Sequence, residues 1–262
     1  MRASFETLLL EQDGPVATVT LHRPANLNAL SAQMLDELSE AFATVADESG
    51  IRAVVLTGAG EKAFSVGADI HEFSATDAAS GEQAALRGQA VMDRIAACPT
   101  PVIAAINGFA LGGGCELALA CTLRLAAETA RFGQPEIKLG LIPGFGGTQR
   151  LAQLIGPSAA LKLTLTGEMI SADAALRLGL VDEVHPASHL LQRARDLART
   201  IAAQPPLAVA AALEAVLNGL QLPLEDGLAL EAQLFGRLSA TADKREGVSA
   251  FLEKRPAVFH GK

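Results

Sequence analysis

Apolar positions recur along this chain with two different periods. In residues 15–21, PVATVTL, β-branched and smaller residues alternate with the two-residue period of a strand. From Ser31 the period lengthens. In SAQMLDELSEAFATVADES the residues Met34, Leu35, Leu38, Phe42 and Val45 share one helical face, and Ser31 stands where an N-cap belongs. RAVVLTG, residues 52–58, predicts a second short strand, residues 82–97 a helix, and PVIAAING, residues 101–108, a third strand ended by glycine. Strands alternating with helices predict an α/β fold. All three strands run into glycine-rich or polar turns, where ligands bind in open α/β sheets.

From about residue 188 the character changes. HLLQRARDLARTIAAQ is a long amphipathic helix, Pro205 and Pro206 break it, and the segments up to Pro256 read as helices with short breaks and no strand signal. A boundary is therefore expected near Ala194, give or take about ten residues. It would separate an α/β core that holds the site, 1–194, from a helical region, 195–262, that covers the core or a neighbouring subunit. Leu220, Leu222, Leu224, Leu228, Leu230 and Leu234 exceed what one face of a lone appendage needs, so this region is expected to bury apolar surface between subunits.

Composition narrows the chemistry. The chain has 262 residues, half of them hydrophobic, which suffices for a sizeable core. Its longest purely apolar run, residues 207–213, falls far short of the ~18 residues of a membrane span, so no membrane partner is expected. The opening MRASFETLLLEQDG fits neither a secretion signal nor a transit peptide, and a cytoplasmic location is the expectation. Cys98, Cys115 and Cys121 show no CxxC pairing and read as reduced thiols, with Cys115 a packing residue rather than a nucleophile. A net charge of −8 opposes nucleic-acid binding, which needs clustered Lys and Arg. With no Trp or Tyr, the ten Phe are the whole aromatic supply for stacking on bases or sugars. The five histidines are scattered, and His185 and His189, four apart with Pro186 between, read as residues at a helix start; no metal site is expected.

One carboxylate is out of place. In NGFALGGGCELALA, residues 107–120, Glu116 is followed by Leu117, Ala118, Leu119 and Ala120, with no further charge until Arg124. The polar face of an amphipathic helix would repeat every three or four residues, so Glu116 is expected to be desolvated. Gly112, Gly113 and Gly114 precede it and can bring free N–H groups into a cleft beside a helix N-terminus. A phosphate loop would need a Lys-Ser/Thr pair after its last glycine, and here Cys115-Glu116 follows. N–H donors for a developing enolate, with a carboxylate moving protons, fit better.

Two further stretches resemble this one. AFSVGADIHEF, residues 63–73, follows the second strand; Gly67-Ala68-Asp69 reads either as a loop with Asp69 as N-cap or as the source of a second donor. In RFGQPEIKLGLIPGFGGTQRL, residues 131–151, Glu136 lies between Pro135 and Ile137 ahead of a turn at Gly144, Gly146 and Gly147.

These motifs, with HRPANLNAL near the start and REGVSAFLEKRPAVF near the end, resemble the enoyl-CoA hydratase/isomerase (crotonase) family along nearly the whole chain. The resemblance implies a superhelix of strand-strand-helix turns with a C-terminal helical region that supports homotrimers, commonly paired into hexamers. It implies that Glu116 and Glu136 match the two catalytic glutamates of hydratases, and that Ala68 and Gly113 supply the peptide N–H groups that bind the thioester oxygen. Asp69, Ile70, His71, Arg23, Leu27 and Gly144 are the further residues expected around an acyl-CoA. Many relatives carry Lys where this chain has His71 and Ala25, which leaves Arg23 as a candidate basic contact.

The reaction so implied is addition of water to a trans-2-enoyl-CoA, with no cofactor beyond the coenzyme A of the substrate. Other readings stay open: isomerisation or another acyl-CoA reaction of the same family, a non-catalytic CoA- or RNA-binding scaffold, and a glycosidase using the same two carboxylates.

Overall fold

The structure, a computed structural model, describes residues 5–73 and 77–262. The first four residues of the stretch read for targeting lie outside them. Strands β1 (Leu8–Asp13) and β2 (Val16–Leu21) form an antiparallel hairpin. Helix α1 (Ala32–Asp47) follows, capped as predicted: the Ser31 hydroxyl accepts from the Met34 N–H at 3.2 Å, and Met34, Leu35, Leu38, Phe42 and Val45 are all buried.

The chain then repeats one unit. Strand β3 (Ala53–Gly58) is followed by β4 (Ala63–Ser65) and the helices α2 (Ile70–Phe73) and α3 (Ala78–Ala96). The next turn is β5 (Val102–Ile106), β6 (Phe109–Leu111) and α4 (Gly113–Ala120), and the third is β7 (Leu123–Ala127), β8 (Arg131–Gly133), α5 (Gly147–Ile155) and α6 (Pro157–Thr166). In each turn the first strand enters a large sheet and the second a small one. Strand β9 (Met169–Ser171), helix α7 (Ala172–Leu178) and strand β10 (Glu183–His185) complete both, so that within the described residues the orders are β1-β2-β3-β5-β7-β10 and β4-β6-β8-β9. Apart from β1–β2 and β8–β9, the pairs are parallel. This is the superhelix of strand-strand-helix turns that the motifs imply.

Because helices lie on both faces of the large sheet, β3 and β5 are buried along their whole length, and they read as near-continuous apolar runs. One face packs against α1, α3 and α4. On the other, Val55, Ile103 and Leu125 meet Leu190, Ala194 and Ala198 of α8 (Ala187–Ala202).

That packing places the change of character within the expected range, at its C-terminal end. Ala194 lies in the middle of α8, fully buried against the sheet, so the change falls after Ala202, within about ten residues of the expected position. There the chain bends by 105° into α9 (Pro206–Gly219), which pairs with α10 (Leu224–Ser239) and is followed by α11 (Ala242–Glu253). Leu234 is corrected: it is buried within the chain and is not free for a subunit contact. Leu220, Leu222, Leu224 and Leu228 are exposed, as are Phe235, Phe251 and Leu252. Among the described residues no single helix is long and apolar enough to cross a membrane.

Candidate active site

The site forms where the small sheet meets the N-terminus of α4. Gly112, the residue that starts this helix, has φ 50° and ψ −125°, a conformation open to glycine and costly for other residues. Its N–H donates to the Gly133 carbonyl at the end of β8 at 2.9 Å. The helix carrying Glu116 is thereby tied to the strand that leads into Glu136. Every residue of α4 is buried, and Glu116 is only 2 % exposed, so the missing polar periodicity did mark a desolvated carboxylate.

Two N–H groups hold it. Phe145 N donates to Glu116 Oε1 at 2.8 Å and Gly147 N donates to the same oxygen at 2.7 Å. Gly147 opens α5, so the carboxylate caps that helix with donors its own ladder leaves unused. The glycine-rich turn that follows Glu136 in sequence therefore serves Glu116 in space. Burial pushes Glu116 up to about 7 and the neighbouring Glu136 adds to the rise, while the two N–H bonds and Arg150 pull the other way.

Glu136 sits in a 3₁₀ turn, Pro135–Leu139, and its carboxylate lies over the bare Cα of Gly112: a Cβ placed on that glycine would stand 2.4 Å from Glu136 Oε1. Desolvation raises this carboxyl as well. Among the described residues, the buried side-chain polar atoms without a hydrogen-bond partner are Glu136 Oε2 and both amide atoms of Gln134, a residue with no solvent exposure. All three lie around the site, beside Gly112 and Gly147. Sequence reasoning missed Gln134; the only signal was its place two residues before Glu136.

The peptide donors converge beside the carboxylates. Leu30 and Ala68 form an isolated parallel bridge that uses the N–H groups of Leu30 and Asp69, donating to Gly67 and Leu30 carbonyls, and leaves that of Ala68 out. A Cβ built on Gly113 would lie 3.2 Å from Ala68 N and 3.2 Å from the Phe145 ring. The amides of Ala68 and Gly113 thus share one small space, next to the turn that holds Glu116.

The bridge also gathers most of the other expected substrate residues. Arg23 Nη1 donates to Asp69 Oδ2 at 3.0 Å and to the Ala29 carbonyl at 2.7 Å, so this guanidinium holds two loops together. Leu27, in the left-handed region at φ 51°, accepts from the Val66 N–H. Asp69 precedes α2, where Ile70 and His71 are exposed, and its Oδ1 accepts from the His71 N–H at 3.3 Å. Gly144 lies apart from this group, in the turn before α5, where its carbonyl accepts from Gln89 Nε2 at 2.9 Å. Between α1 and α3 an open cavity of about 570 Å³ is lined by Leu30, Leu35, Ala84, Arg87 and Phe145, among others.

Cys98, Cys115 and Cys121 are free and buried. The Cys115 thiol is pushed up to about 12 by burial and by the two glutamates, which keeps it protonated and unreactive. His185 lies in β10, bonded to Glu183 at 2.6 Å, and among the described residues no group of three or more His, Cys, Asp or Glu could hold a metal.

Comparison with known proteins gives the family of the chain. The sequence profile of the enoyl-CoA hydratase/isomerase family matches residues 11–262. A short-chain-enoyl-CoA hydratase of Clostridium acetobutylicum is 44 % identical over 251 residues, covering 96 % of each chain. A crotonyl-CoA hydratase of Syntrophomonas wolfei is 42 % identical over 259 residues, covering 99 % of this chain and 100 % of that protein. Among solved structures, an enoyl-CoA hydratase from Bacillus anthracis superposes with a TM-score of 0.95 at 42 % identity, covering 98 % of this chain and all of that one. By sequence and by fold, the chain belongs to the enoyl-CoA hydratase/isomerase family.

Proposed function

We propose that the protein hydrates trans-2-enoyl-CoA to 3-hydroxyacyl-CoA, with Glu116 and Glu136 moving protons around one water. The observation that carries this reading is the placing of the buried Glu116 and the half-buried Glu136 around the glycines at the start of α4, beside the backbone N–H groups of Ala68 and Gly113. The names of the Clostridium and Syntrophomonas relatives support the same substrate class.

In this reading the thioester oxygen accepts hydrogen bonds from the N–H groups of Ala68 and Gly113. They stabilise the enolate that forms as water attacks the β-carbon, and one such donor is worth about 10²–10³ in rate. Glu116, ionised, takes a proton from the water, and Glu136, protonated, delivers one to the α-carbon. The pair holds one proton before and after, so the atoms of one water are added and no cofactor beyond the coenzyme A of the substrate takes part. The acyl tail enters the cavity between α1 and α3 past Phe145. The exposed leucines and phenylalanines of α9–α11 support assembly into a homotrimer or a hexamer of two trimers.

The test is a hydration assay on enoyl-CoAs of increasing chain length, following loss of the conjugated thioester absorbance. Hydration of at least one member at a rate abolished by the double replacement of Glu116 and Glu136 with Gln supports the reading. Double-bond migration without hydration would make the protein an isomerase instead.

A further inference from the structure

The turn that aims two N–H groups at Glu116 is itself held from outside. Arg150 Nη1 donates to the Phe145 carbonyl at 3.2 Å, and Arg150 Nη2 reaches across to Asp93 Oδ1 of α3 at 2.5 Å. From the same helix Gln89 holds the Gly144 carbonyl, and Gly88 lies under the Phe145 ring, where a Cβ would come within 2.1 Å of Cδ1. Helix α3 thus fastens the turn at three points, and only the Arg150 brace brings a charge. The Arg150 side chain is 22 % exposed and that of Asp93 70 %.

We propose that Arg150 is a positioning residue for Glu116, holding the turn at residues 144–147 so that the Phe145 and Gly147 amides stay aimed at the carboxylate, and bringing a positive charge to the site. This rests on the reading of Glu116 as the base. A carboxylate held at Oε1 by two amides of one turn moves when that turn moves, and a small displacement of a base costs rate steeply. The charged and titratable groups facing Glu116 are Glu136 from the turn after β8, Arg150 of α5 with its partner Asp93 of α3, and the neutral thiol of Cys115 beside it on α4. Strands β4 and β6, also packed against α4, carry none. Arg150 favours the ionised carboxylate, so its loss moves the pH at which the base becomes active upward. Asp93 is mostly in water, where screening weakens the pair, so its loss should matter less than that of Arg150.

The experiment measures kcat and KM for crotonyl-CoA hydration from about pH 6 to about 9 in wild type, Arg150→Gln, Arg150→Lys, Asp93→Asn and Glu116→Gln. The proposal expects Arg150→Gln to lose about tenfold or more in kcat with KM within about threefold, and its acid limb to move to higher pH. Arg150→Lys should return the limb to its wild-type position with kcat only partly restored, and Asp93→Asn should lose less kcat than Arg150→Gln. A lower kcat with an unmoved limb in Arg150→Gln, or both unchanged, overturns the proposal while the hydratase reading stands on the Glu116→Gln control. Wild-type activity in Glu116→Gln overturns both. Should Arg150→Gln fail to fold, Arg150→Lys and Asp93→Asn decide: kcat reduced in both supports the brace, kcat unchanged in both refutes it.

Discussion

Gly112 and Glu136 share a space that holds either a methyl group or a carboxylate, because a Cβ on the glycine would stand 2.4 Å from Glu136 Oε1. The same glycine has a positive φ and ties α4 to β8 through its N–H. One residue therefore sets the backbone of the helix carrying Glu116 and the seat of Glu136.

Gly112→Ala should displace Glu136 and strain the entry to α4 at once. A side chain in this conformation costs about 1–3 kcal/mol of stability. Hydration should fall further than stability does, by about 10²-fold, the scale of a lost proton-transfer group. Kinetics and thermal melts on the same sample check both; a variant with normal kcat would show that Glu136 does not need this seat.

The raised Glu116 makes opposite demands on activity and stability. As a base it must be ionised, so kcat/KM should fall as pH drops below about 7. Its folded pKa lies above the ordinary carboxylate value of 4.5, so its contribution to stability is fully present below that value and is lost as pH rises through about 7. Glu116→Gln removes the buried charge while keeping an oxygen for the Phe145 and Gly147 amides. It should stabilise the fold at pH 8 relative to wild type, on the order of 3 kcal/mol at most, and much less at pH 5. Denaturant melts at the two pH values measure the difference, and equal effects at both would show that Glu116 titrates normally.

The proposed assembly rests on the exposed apolar side chains of the C-terminal helices. Leu224 is 78 % exposed and Phe251 83 %, and the proposal has a neighbouring subunit cover them. Mass in solution should be that of a trimer or hexamer, and Leu224→Glu with Phe251→Glu should lower it. A stable monomer across micromolar concentrations would contradict this.

The long elements were legible because their periods are strong. Strands β2, β3 and β5 and helix α1 begin and end within a residue or two of the alternation, and Glu116 betrayed its burial by lacking any polar neighbour on its helix. Strands β4, β6, β8 and β9 were not legible: three residues are too few to display a period, and their partners come from other parts of the chain. The site was read one carboxylate at a time for the same reason. Nothing in the order of residues 131–151 says that the glycines after Glu136 close on Glu116, since that contact is made by backbone amides, which are the same in every sequence. Gln134 and Arg150 were passed over because a polar residue in a loop and an Arg on a helix carry no local signal of burial or bracing.

The division of labour between the glutamates is tested most directly by hydration rate together with deuterium uptake at the α-carbon in Glu116→Gln, Glu136→Gln and the double variant. Each single change should cut hydration by about 10²–10⁴-fold. Glu116→Gln should still exchange the α-proton, because Glu136 remains to shuttle it, whereas Glu136→Gln should lose both activities. The double variant should be little worse than the poorer single one, as expected of groups acting on one water. Hydration within a few-fold of wild type in Glu116→Gln, with a melting point lowered by many degrees, would instead make Glu116 a structural residue and contradict the account.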